Sequence, residues 1–147
     1  MKYNIIHSAD WHYSPKHREQ CLRSLAEMLR HGQTHDVDLW VTAGDIFDHA
    51  IYNTGRSGMP ELLDAVYRLL DFAPMVAVTG TPTHDVAGSY DVLTRIGDDR
   101  FTVIDPRRIY FLNDRGVRSD PADPTIRNDR IIMGVDPIPT PNNDLII

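Results

Sequence analysis

Apolar residues follow two different periods along the first two thirds of the chain. Tyr3 to Ser8, Leu39 to Ala43 and Met75 to Thr79 are short apolar runs that end in polar residues or glycine, the pattern of strands buried on both faces. Between them the period lengthens. Ser14-Pro15 offers an N-cap followed by proline at the first helical position, Leu22, Leu25, Ala26 and Leu29 recur at helical spacing, and Gly32 stops the pattern. Pro60 opens a second helix whose Leu62, Leu63, Val66, Leu69 and Leu70 form one apolar face. Strand, helix, strand, helix, strand in this order predicts right-handed crossovers and a parallel sheet, with any site at the strand C-terminal ends.

The remainder is less periodic. Residues 49 to 58 carry two glycines and no period, so they are expected to form a connecting loop. Ser89 to Ile96 reads as a short helix capped by Gly97, and Phe101 to Ile104, Arg108 to Leu112 and Arg130 to Val135 read as short strands. Asp and Arg are balanced between Asp98 and Arg130, as in solvated turns and surface pairs, and residues 113 to 129 are expected to be a mobile loop. Residues 137 to 147 read as a proline-rich linker or truncated tail with an apolar end, Leu145-Ile146-Ile147.

Composition narrows the picture. A chain of 147 residues that is 41% hydrophobic has room for one domain, 1–147. Its net charge of -6 opposes nucleic-acid binding through bulk electrostatics, so any such contact must be local. Cys21 is alone, has no partner for a disulfide, and fits a small core residue in a reducing setting. The N-terminus lacks the pattern of a signal peptide, and no apolar run reaches the ~20 residues a bilayer requires. The expectation is a cytoplasmic protein with no membrane partner.

Three islands carry the chemistry. Asp10 and His12 follow the first apolar run, one residue apart, and together offer an oxygen and an imidazole nitrogen to one ion, a set suited to Mn, Fe or Zn. Gly44-Asp45 follows the second run, where the glycine permits a sharp turn and Asp45 can project toward Asp10 and bridge two cations. Asp48, one turn later, is placed either to orient a ligand through a hydrogen bond or to cap a turn. The third run ends in Gly80-Thr81-Pro82-Thr83-His84-Asp85, where His84 can donate a proton near a phosphate and Asp85 would hold its imidazole.

These islands resemble the calcineurin-like metallophosphoesterase family, whose opening motifs run Asp-x-His, Gly-Asp-x-x-Asp and Gly-Asn-His-Asp. The surrounding words, His7-Ser8-Ala9-Asp10-Trp11-His12 and Ala43-Gly44-Asp45-Ile46-Phe47-Asp48, are most similar to the nuclease subunit of SbcD-type DNA repair exonucleases. The resemblance covers residues 1 to 90 well and the rest loosely. It implies an α/β sandwich of α-β-β-α layers, here as an incomplete N-terminal part whose exposed edges favour self-association. It implies Asp10, His12 and Asp45 as metal ligands, His84 as the catalytic histidine at the scissile phosphate, and two divalent metals, expected as Mn. DNA is the implied substrate, in double-strand-break repair, with an SMC-like ATPase subunit and a homodimer as further expected partners. A phosphatase or cyclic-nucleotide phosphodiesterase, and a catalytically inactive assembly module, are the alternatives.

Two departures bear on the second metal. Thr83 stands where the family has a ligating asparagine, and all seven histidines lie at or before His84, so nothing later supplies the family's remaining imidazoles. The chain is therefore expected to bind one metal well, with little activity of its own.

Overall fold

In a computed structural model of the chain, residues 3–49 and 58–104 are described in full, and the backbone of 110–113, 116–118 and 130–133 is described as well. They divide into two compact units, Met1–Val103 and Ile104–Ile147.

The first unit is built on four parallel strands in chain order: β1 (Ile5–Ser8), β2 (Leu39–Thr42), β3 (Met75–Ala77) and β4 (Phe101–Val103). Ile5 pairs with Leu39, Trp40 with Met75, and Met75 with Phe101. Because each crossover steps the same way, the three connecting helices share one face of the sheet. These are α1 (Arg18–His35), α2 (Met59–Phe72) and α3 (Asp91–Gly97), with α1 packed on α2 and α2 on α3. All of β3 is buried, whereas β1 at the edge is half-buried. This is the expected α/β arrangement of a parallel sheet and covering helices.

Trp40 shows how the sheet and helices lock together. It is fully buried, and its indole N–H donates to the Leu69 carbonyl at 2.8 Å, so the one polar atom of a large apolar side chain is satisfied inside the core. Gly32 makes room for this ring. A Cβ there would lie 2.2 Å from the Trp40 side chain and 2.8 Å from Val37. Gly32 therefore lies within α1 and does not stop it, contrary to the expectation from sequence. The stop comes at Asp36, which adopts a left-handed conformation (φ 48) and returns its N–H to the Gly32 carbonyl.

Other boundaries move for similar reasons. Ser14 does not cap α1: its carbonyl accepts the His17 N–H at 3.1 Å, so Ser14-Pro15 forms a separate turn before the helix. The buried face of α1 is Cys21, Leu25 and Gly32, which leaves Ala26 exposed. Gly97 lies inside α3 against Phe101 and Leu70, and Asp98 takes the cap position. Pro60 does open α2, and Leu62, Val66, Leu69 and Leu70 are its buried residues.

The second unit holds a three-stranded antiparallel sheet, ordered β6 (Gly116–Arg118), β5 (Tyr110–Asn113) and β7 (Arg130–Met133). Residues 116 to 118 correct the expectation of an unbroken loop over 113 to 129. Asn113 pairs with Gly116, the spacing of a tight hairpin, and the surrounding Asp and Arg hide its apolar period. The connecting loop of 49 to 58 falls mostly, and the tail of 137 to 147 wholly, outside the described residues. No helix among the described residues is long and apolar enough to cross a membrane.

Candidate metal centre

The chain segments leaving β1 and β2 stay paired after the sheet ends. Asp10 N–H donates to the Gly44 carbonyl (3.1 Å), His12 to Asp45 (2.9 Å) and Tyr13 to Ile46 (2.8 Å), and Asp48 N–H donates back to Tyr13 (3.2 Å). Tyr13, Ile46 and Phe47 are buried beneath these loops. Apolar residues thus pin the loops to the core, while the carboxylates and imidazole between them are left at the surface.

The backbone is strained where the chemistry lies. Asp10 (φ 54), His12 (φ 45) and Asp45 (φ 52) all occupy the left-handed region, at a cost of about 1–2 kcal/mol each. The ladder between the loops holds them there. Asp36 and Asp98 share this conformation singly at helix ends, whereas Asp10, His12 and Asp45 bring three such residues together at one place.

Asp10, His12 and Asp45 bring one ligand atom each to within 4.8 Å of one another. His12 Nε2 lies 3.7 Å from Asp10 Oδ1. Small side-chain rotations close such a set around a divalent cation, and its two carboxylates and one imidazole suit the harder end of the transition metals. The residues present therefore fit the metal that the sequence implies.

The third island reaches this centre through Thr81, which sequence reasoning did not single out. Thr81 N–H donates to Asp45 Oδ1 at 2.7 Å and its hydroxyl donates to the same oxygen at 3.1 Å, so one side of the carboxylate is fixed. Gly80 sits beneath: a Cβ there would lie 2.0 Å from Asp45 Oδ1, and one on Gly44 would lie 2.5 Å from the Gly80 Cα. Two glycines back to back let the second and third islands touch. The signal for this was the pair of glycines directly after two strands.

His84 is oriented differently from the expectation. Its Nδ1 bonds to the main-chain carbonyl of Asp48 at 2.7 Å, and its ring meets that of His12 edge-on with centroids 4.7 Å apart. Asp85 does not hold this imidazole. It is buried, and its carboxylate accepts from the N–H of Phe47 (3.2 Å), the N–H of Gly80 (2.8 Å) and the Tyr90 hydroxyl. Asp85 is instead the clamp that ties the second and third loops together. Burial, reinforced by the hydrogen bond to Asp85, pushes the Tyr90 hydroxyl far above its ordinary range, so it remains a donor. Thr83 is exposed, with its hydroxyl 3.4 Å from that of Thr81.

Asp48 stands nearer the centre than its place in the motif requires. Its Oδ1 lies 3.7 Å from His12 Nδ1 and its Oδ2 lies 3.3 Å from His49 Nε2. A cleft of about 590 Å³ opens beside the centre, lined by Ser8, Asp10, His12, His17, Gln20 and Asp48 among others. No Lys or Arg is among the described residues that line it. Asp10 and Asp48, the two carboxylates that line it, would repel a phosphate without a fixed positive charge beside them, so a bound cation here favours an anionic substrate.

Comparison with known proteins agrees with this geometry. A search of curated proteins finds no match. The family model for calcineurin-like phosphoesterases matches residues 3–140, which takes in the described strands, the three helices and all three loops of the centre. The chain belongs to the calcineurin-like phosphoesterase family, whose members are metal-dependent hydrolases of phosphate esters.

Proposed function

We propose that the protein is a metal-dependent nuclease that hydrolyses phosphodiester bonds of DNA, with Mn as its metal. The observation that carries this reading is the convergence of Asp10, His12 and Asp45 from two successive strand ends. The substrate class rests on the residues flanking these ligands, His7 to His12 and Ala43 to Asp48, which are similar to those of DNA repair exonucleases.

When bound by Asp10, His12 and Asp45, the cation supplies Lewis-acid chemistry and a water of lowered pKa. The chain's own residues do the rest. Thr81 fixes Asp45 so that one carboxylate oxygen is occupied by hydrogen bonds and the other is directed elsewhere. The Asp48 carbonyl holds His84 through its Nδ1–H, so that in the imidazolium form Nε2–H is the group that gives a proton to the leaving oxygen of the phosphodiester. Such proton transfer typically contributes about 10²–10⁴-fold.

The test is Mn-stimulated release of nucleotides from linear DNA by the purified protein, compared with Asp45→Asn and His84→Gln. Nucleotide release that both substitutions reduce supports the proposal. Turnover of small phosphate monoesters with intact DNA returned would sink the nuclease reading and leave a phosphatase.

A further inference from the structure

Among the described residues two groups of metal-capable atoms meet at His12, and only one of them supplies the ligands of the proposed catalytic cation. The second is His12, Asp48 and His84, whose ligand atoms also lie within 4.8 Å of one another. Its donors differ from those of the first group: two imidazoles and one carboxylate, against two carboxylates and one imidazole.

Each member is prepared for coordination. Among the described residues His12 Nδ1 is buried without a hydrogen-bond partner, and it faces Asp48 Oδ1 at 3.7 Å. A polar atom buried in this way costs about 1–3 kcal/mol unless something satisfies it. His84 gives its Nδ1 to the Asp48 carbonyl at 2.7 Å, the usual second contact of a ligating imidazole, which fixes the tautomer and leaves an Nε2 lone pair free. The His12 and His84 rings stand 4.7 Å apart at an interplanar angle of 79°, in edge-to-face contact, which keeps the two imidazoles side by side. The Asp48 side chain is only 20% exposed, and its other oxygen lies 3.3 Å from His49 Nε2.

We infer that His12, Asp48 and His84 form a second, zinc-selective site that excludes the metal held by Asp10, His12 and Asp45. Imidazole-rich sets favour Zn, whereas carboxylate-rich sets accept Mn, so donor chemistry separates the two ions. Sharing His12 makes the sites exclusive: its Nε2 faces Asp10 and its Nδ1 faces Asp48, and a neutral imidazole has one lone pair, so a ring that ligates through Nδ1 carries its proton on Nε2 and leaves Asp10 and Asp45 without their nitrogen. Zinc bound there also occupies His84 Nε2, the atom needed as proton donor. The site thus acts as an inhibitory zinc switch on the same centre. The zinc site stands on geometry alone, and its inhibitory effect rests on the function proposed above.

Equilibrium binding tests it on the full chain, without reference to activity. Zn affinity is measured by competition with a chromophoric chelator, and free Mn by its electron paramagnetic resonance signal. One Zn per chain is expected, weakened at least about 10-fold in His84→Gln and in Asp48→Asn, while both variants retain Mn. Zn should displace Mn from the wild-type protein but not from His84→Gln at the same concentration. Unchanged Zn affinity in both variants, or simultaneous binding of Zn and Mn, overturns the inference. Zn binding that follows this pattern in a protein that never binds Mn would instead refute the catalytic centre and leave the zinc site standing. Melting curves of both variants separate loss of a ligand from loss of the fold.

Discussion

Gly80 lies so close to Asp45 that a methyl group on its Cα would sit 2.0 Å from the Asp45 Oδ1 and 2.2 Å from its main-chain nitrogen. One of these atoms belongs to a candidate metal ligand and the other to rigid backbone, so neither can give way cheaply. Gly80→Ala is expected to cost about 1–3 kcal/mol in chemical denaturation and to weaken Mn binding by about 10-fold or more. Gly88 is the control. Its positive φ of 83 makes alanine strained there too, but its Cβ would meet nothing closer than Asp91 at 3.5 Å. Gly88→Ala should lose about 1–2 kcal/mol of stability with Mn affinity unchanged.

Thr81 offers a finer probe of the same carboxylate. Thr81→Ala removes the 3.1 Å hydroxyl bond to Asp45 but keeps the 2.7 Å main-chain bond. The expected loss is about 1 kcal/mol, seen as a roughly fivefold rise in the Mn dissociation constant by titration calorimetry. No change would mean that the hydroxyl contributes nothing to placing Asp45.

Most of the parallel unit was legible because its apolar runs and helical faces are long relative to the errors at their ends. That Asp10, His12 and Asp45 would meet was legible for a related reason: each follows closely on a strand, and neighbouring parallel strands bring their ends together. What sequence could not show were contacts between distant side chains. Asp85 beside His84 looked like its partner, yet the tight turn directs the two side chains to opposite sides, one into the core and one toward His12. The role of Gly32 was misread because a glycine that ends a helix and a glycine that admits a tryptophan leave the same mark in a sequence. Gly116–Arg118 was too short a strand, among too many charges, to show a period.

Gly32→Ala sets helix propensity against packing. Alanine is favoured over glycine in a helix by about 1 kcal/mol, but its methyl would meet the buried Trp40 ring at 2.2 Å. Overpacking of this kind costs typically about 1–3 kcal/mol, and Trp40 is held in place by its bond to Leu69. A net destabilisation of up to about 2 kcal/mol in urea is expected, with metal binding unaltered, since Gly32 lies at the far end of α1 from His12. A more stable variant would show that Trp40 can move.

Tyr90 supports the centre from below without touching its ligands. Tyr90→Phe leaves the buried Asp85 carboxylate with its two main-chain donors and removes the hydroxyl. The expected loss is about 1–3 kcal/mol of stability, whereas Tyr67→Phe, at 47% exposure, should change nothing measurable. Equal melting temperatures for the two variants would remove Asp85 from its role as clamp.

Cys21 makes stability depend on alkaline pH. Burial raises its thiol from an ordinary value of 9.0 to about 12. Above pH 9 the unfolded chain has released this proton and the folded chain still holds it, so stability must fall as pH rises. The contribution is complete below 9.0, declines at up to about 1.4 kcal/mol per pH unit, and is exhausted near 12. Tyr13 and Tyr90, whose hydroxyls are also raised, first by burial, add to the decline only above their ordinary 10.0. Between pH 8 and 10 the thiol should therefore dominate. Urea denaturation of wild type and Cys21→Ala across that window should show a falling midpoint in the first and a nearly flat one in the second. The variant starts lower because a buried sulfur is lost from the α1 face, but the two curves should converge as pH approaches 10. Parallel curves would mean that the thiol ionises in the folded protein as readily as in the unfolded one, and that the loops above Cys21 admit water to it.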